Sequence, residues 1–172
     1  MSSMFFASSD WQSISLRLIT ALLVGAAIGI NRQRTGRPAG LRTFMIVSLG
    51  AALFVMIPLQ AEGDINYSSS NALSRTIQGV ATGVGFLGAG MILQQAPEKS
   101  SRAEIKGLTS AATIWLAAGL GAAAGCGLWR MSLIGTLFAL VVLSGVKRLK
   151  KSTLIRFDRD KQGEIEKSDT AG

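Results

Sequence analysis

Residues 72–93 read ALSRTIQGVATGVGFLGAGMIL, and Arg75 is the only charged residue among them. A helix rises about 1.5 Å per residue, so roughly 20 residues cross a hydrocarbon core of about 30 Å. This run is long enough to do so. Four more runs share its character, at 14–30, 41–59, 108–125 and 127–146, and their few charges lie near their ends. The loops between the runs are short, and the runs lack the polar face that a helix on the surface of a soluble bundle needs. Composition agrees. Charged residues make up 16% of the chain, against about 25% in a typical soluble domain. The expected fold is therefore all-α: a polytopic membrane protein with five transmembrane helices in a membrane domain over 1–146. Residues 147–172 are expected to form a basic, flexible cytoplasmic tail.

Charge placement sets an expected orientation. Arg32, Arg34, Arg37 and Arg42 separate the first two spans; Lys99, Arg102 and Lys106 separate the third and fourth; Lys147, Arg148, Lys150 and Lys151 follow the fifth. The opposite side holds Asp10, Glu62, Asp64 and Arg130. The positive-inside rule places the N-terminus outside and the tail in the cytoplasm. The first run is read as a retained anchor, because a signal peptide carries its positive charge before its apolar core. The net charge of +8 follows from this topology, and no nucleic-acid-binding motif accompanies it. The expected surroundings are a bilayer with anionic headgroups, with self-association or other membrane proteins as partners and no nucleic acid.

The same stretch contains Gly83-Val84-Gly85-Phe86-Leu87-Gly88, which fits a dinucleotide-binding fingerprint. That fingerprint works only after a strand in a βαβ unit, and here it lies inside an apolar run. The glycines have another reading. Gly25 and Gly29, Gly79 and Gly83, and Gly121 and Gly125 are each four residues apart. Such spacing forms a flat stripe along which helix backbones approach closely in lipid. Gly85, Gly88 and Gly90 add to the glycines of the third span and are read as packing positions too. A backbone-lined solute path is the alternative to packing.

Polar residues within the spans are few. Gln78 and Thr82 lie one turn apart on the third, Thr109, Ser110 and Thr113 open the fourth, and Ser48 sits in the second. They either hydrogen-bond across the bundle, each contributing on the order of 1 kcal/mol, or line a weak polar path. No span contains Asp or Glu. Mg²⁺ gives up its water reluctantly and is usually held through carboxylates, so no metal cage is expected, and buried-carboxylate proton coupling is equally unsupported. No catalytic constellation or cofactor motif is present, so no enzyme is expected. Cys126, the single cysteine, is read as a packing residue or free thiol. Arg42 opens the second span beside Thr43, where a cation opposes the helix dipole. It serves either an internal partner or anionic ligand, or a headgroup anchor. Gly40-Leu41-Arg42-Thr43 and Gly107-Leu108-Thr109-Ser110 echo one another, suggesting parallel two-helix repeats over 14–59 and 72–125.

Three blocks carry a resemblance: Gly36-Arg37-Pro38-Ala39-Gly40-Leu41-Arg42-Thr43, Ile77-Gln78-Gly79-Val80 through Gly90, and Lys106-Gly107-Leu108-Thr109-Ser110-Ala111-Ala112-Thr113-Ile114-Trp115. In these the chain resembles the MgtC/SapB family of bacterial inner-membrane proteins. The resemblance implies a role in adaptation to scarce magnesium, either as a non-enzymatic accessory or regulator or as a small oligomeric transporter or channel for Mg²⁺. The family typically has Glu just after the first span, where this chain has Asn31, which weakens a direct metal role. The family's founding type also carries a folded cytoplasmic domain after the last span, and the short tail here is expected to lack one. Candidate binding positions are thus Asn31, Arg42, Thr43, Gln78, Thr82, Thr109 and Thr113.

Overall fold

The computed structural model describes residues 10–35, 39–61, 67–94 and 107–145. Five helices run through them: α1 (Trp11–Gln33), α2 (Leu41–Ala61), α3 (Tyr67–Gln94), α4 (Leu108–Gly125) and α5 (Trp129–Gly145). The described residues are all-α. The first four helices are long and apolar enough to cross a membrane, and α5 is a shorter apolar helix over its described part. Arg37, Glu62, Asp64, the 95–106 loop and the tail, on which much of the topology reading rests, lie outside the described residues.

The helices outrun the apolar runs at α1, α2 and α3, because hydropathy marks where lipid begins and not where hydrogen bonding stops. Asp10 caps α1, its carboxylate accepting the Ser13 N–H at 3.2 Å. At the far end Asn31, Arg32 and Gln33 add a polar turn. The correction at α5 runs the other way. Its expected start at 127 is a turn, since Gly127 has φ of 78°, a left-handed conformation that glycine adopts without steric cost. Arg130 lies over the Trp129 ring at 5.1 Å, a cation–π contact of the kind suited to a membrane–water boundary.

Among the described residues, α2 and α4 touch each other, and both touch α1 and α3, whereas α1 and α3 do not meet. Exchanging α1 with α3 and α2 with α4 leaves that set of neighbours unchanged. The centre is built from small side chains. Ala51, Val55 and Leu59 of α2 pack with Ala118 and Ala122 of α4 and with Cys126, and Ala21, Ala52 and Ala124 join α1, α2 and α4. The chain divides into a unit ending at Leu137 and a second beginning at Phe138, within α5. In the second, Phe138, Val141 and Val142 are exposed.

Candidate functional site

The close contacts start from glycine. A Cβ on Gly25 would lie 2.6 Å from the Phe44 carbonyl oxygen, and one on Gly29 would lie 2.8 Å from Leu41 Cα. Further along the same face of α2, a Cβ on Gly121 would collide with the Ser48 carbonyl oxygen, and one on Gly125 would lie 2.6 Å from that of Ala52. The stripes of α1 and α4 thus grip α2 by direct backbone approach. Gly88 has one near neighbour, Ala111 on α4 at 3.2 Å. At Gly79, Gly83, Gly85 and Gly90 an added Cβ would meet nothing within 4 Å in this chain.

Two buried arginines tie α1 to the ends of α4. Arg17, 6% exposed, donates through Nη1 to the Gly125 carbonyl at 2.9 Å. The last four carbonyls of a helix lack intrahelical donors, and here each finds one. Cys126 N–H reaches Ala122, Leu128 N–H reaches Ala123, Gly127 N–H reaches Ala124, and Arg17 takes the fourth. The Leu128 and Gly127 bonds form a Schellman motif with Gly127 at its left-handed position. A side chain on Gly127 would also crowd the Arg17 guanidinium, 3.1 Å from its Cβ position. At the other end Arg32, 4% exposed, donates through Nη2 to Ser110 Oγ. The two arginines have the same separation along α1 as their partners have along α4. One antiparallel register therefore satisfies both. Ser48 Oγ donates to the Ala21 carbonyl at 2.7 Å and Ser132 Oγ to that of Leu120 at 2.8 Å, adding ties from α2 to α1 and from α5 to α4. Burial pushes the Cys126 thiol up, against the pull of the Arg17 guanidinium, so this free cysteine is a packing residue with little thiolate character.

The candidate polar residues do not converge. Arg42, Thr43, Gln78, Thr82 and Thr109 are exposed and Asn31 is half-buried. Thr113 is buried, with its hydroxyl spent on the Thr109 carbonyl of its own helix at 2.5 Å. The inward arginine at this end is Arg32, not Arg42. The signal was available in the spacing: Arg17, Ala21, Val24, Ile28 and Arg32 follow steps of three and four, and all five are buried. A charge on a core-facing seam in lipid implies a partner.

Between α2 and α3 lies an apolar groove of about 580 Å³. Its floor includes Gly50, Gly79 and Gly83, and its walls include Ile46, Phe54, Val84 and Leu87. Thr76 brings the one lining hydroxyl, which donates to the Ala72 carbonyl at 3.0 Å. Such a surface suits an acyl chain or apolar side chains and offers nothing to replace the water around an ion. Among the described residues no three His, Cys, Asp or Glu lie close enough to hold a metal.

Long apolar helices, glycine contacts and buried polar ties define a polytopic helical membrane protein. The chain belongs to the MgtC family, whose family model matches residues 18–152. It is 60% identical over 158 residues to Protein SrpB of Synechococcus elongatus, covering 91% of this chain and 87% of that one. It is 38% identical over 130 residues to "Putative magnesium transporter YhiD" of Escherichia coli K12, covering 74% of this chain and 58% of YhiD. It is 36% identical over 125 residues to Protein MgtC of Salmonella typhimurium LT2, covering 73% of this chain and 48% of MgtC. The match thus spans about half the length of the last two. No solved structure matches.

Proposed function

We propose that this chain is a non-enzymatic accessory or regulatory protein of the bacterial inner membrane, linked to magnesium homeostasis, with its N-terminus outside and its tail in the cytoplasm. The observation that carries the reading is the filled centre of the bundle. Where α1, α2 and α4 meet, glycine lets backbone touch backbone at Ser48 and Ala52, and the residues between are mostly alanine, with Val55, Leu59 and Cys126. No width remains there for a hydrated ion, and the spans contain no carboxylate to take over its hydration. The polar residues at this centre tie helices together. What the protein offers outward is helix surface, which suits action through contact with other membrane proteins.

The second reading, a small oligomeric Mg²⁺ transporter or channel, is favoured by the name carried by YhiD. Flux through the purified chain separates the two. In proteoliposomes holding a Mg²⁺-sensitive dye, the accessory reading expects entry no faster than in protein-free vesicles. Protein-dependent, saturable entry would establish the transporter instead.

A further inference from the structure

The α3 helix is the least enclosed of the four long helices. Only 6% of its membrane-spanning window is buried inside the chain, against 67% for α4. Its exposed surface is not uniformly apolar. Asn71, Arg75, Gln78, Thr82, Gly85 and Ala89 alternate by four and three residues, and every one is exposed. At 100° per residue they form one face, distinct from the face that lines the groove through Thr76, Gly79 and Gly83. The Gln78 amide donates through Nε2 to Ser74 Oγ, one turn away on the same helix, at a long 3.5 Å.

We propose that this face of α3 binds α3 of a second copy of the chain, in parallel. Steps of three and four are the period at which two helices meet along a left-handed crossing, and interfaces in lipid are built from small residues and from amides or hydroxyls that bond across them. The stripe has both. Copies of one membrane protein insert with one orientation, so a stripe on a two-fold axis meets itself in register and Gln78 faces Gln78. An amide holds donor and acceptor in one group, so two of them satisfy each other without a second kind of residue. Facing lipid, the same amides would be left in hydrocarbon with only the long contact to Ser74. Arg75 lies about one turn inside the membrane-spanning part of α3, which begins at Asn71, where its long stem lets the guanidinium reach the headgroups and stay clear of its mate. The proposal stands apart from the accessory reading, since either result of the flux measurement leaves it untouched.

Disulfide scanning in native membranes tests it, with the full chain carrying Cys126→Ala and single cysteines at Thr82, Ala89, Gly83 or Leu87. Covalent dimers are expected from positions 82 and 89 and not from 83 and 87, which line the groove. Dimers at all four positions alike, at none, or chiefly at the groove positions overturn the proposal. Energy transfer between labelled copies in vesicles is the second measurement, with Gln78→Leu as the variant, because added apolar bulk favours insertion. Its dissociation constant should rise about threefold to thirtyfold over that of the otherwise identical chain, the range set by one or two interhelical hydrogen bonds. An unchanged constant, or no energy transfer without the variant, contradicts the pairing.

Discussion

The α1 and α3 helices occupy equivalent places, each against α2 and α4 and out of reach of the other, yet α1 is closed onto α2 whereas α3, packed on α4 at Gly88 and Ala111, leaves a groove against α2. Both contain glycines four residues apart. On α1 a Cβ added to these glycines would lie 2.6 and 2.8 Å from α2 backbone atoms; on α3, Gly79 and Gly83 border an apolar groove. The difference lies in the polar ties. Arg17, Arg32 and the Ala21 carbonyl bind α1 to α4 and α2, whereas Gln78 and Thr82 of α3 are exposed. Lipid is as apolar as leucine, so no hydrophobic force separates a closed helix pair from a gapped one. Polar bonds and backbone fit decide instead, and a glycine stripe permits close approach without compelling it.

The contrast can be broken most severely at the closed side. Gly125→Val would set branched carbons against the Ala52 carbonyl and Val55, already 2.6 Å from a Cβ. Because backbone must move, the cost should reach about 3 kcal/mol, the upper end of ordinary overpacking, and the variant should lose its folded peak in size-exclusion chromatography. A smaller loss is expected at the clamp. Arg17→Met leaves the Gly125 carbonyl without its donor, a cost of about 1–3 kcal/mol, read as a lower denaturation midpoint in mild detergent. The matched change at exposed Arg34 should stay within about 0.5 kcal/mol.

Much of this was legible in the chain itself, for physical reasons. An apolar run of spanning length has few alternatives, so a helix forms on each of the five runs, with ends that differ by a few residues, and Leu41 and Leu108 begin helices as the paired Gly-Leu sequences suggest. The site was less legible. Arg32 and Arg42 look alike as loop charges, and only the buried seam from Arg17 to Arg32 distinguishes them. The Gly25 and Gly79 pairs have identical spacing, and what each faces depends on long-range bonds such as Ser48 to Ala21, which no local pattern records. The start of α5 was missed because Gly127 reads as part of an apolar run, while its left-handed backbone serves to close α4.

The contrast between closed and open helices is tested most directly by placing one methyl group on each. Alanine is favoured over glycine inside a helix by up to about 1 kcal/mol, so a methyl with free space around it stabilises. Gly83 has that space, whereas a methyl on Gly121 would collide with the Ser48 carbonyl oxygen. Thermal midpoints of the two alanine variants, measured in the same lipid nanodiscs, should therefore move in opposite directions from the parent. Gly83→Ala is expected to be unchanged or slightly raised, and Gly121→Ala lowered by roughly 5 °C or more. Equal falls at both positions, or a larger fall at Gly83, would show that α3 is packed as tightly as α4 and would contradict the account.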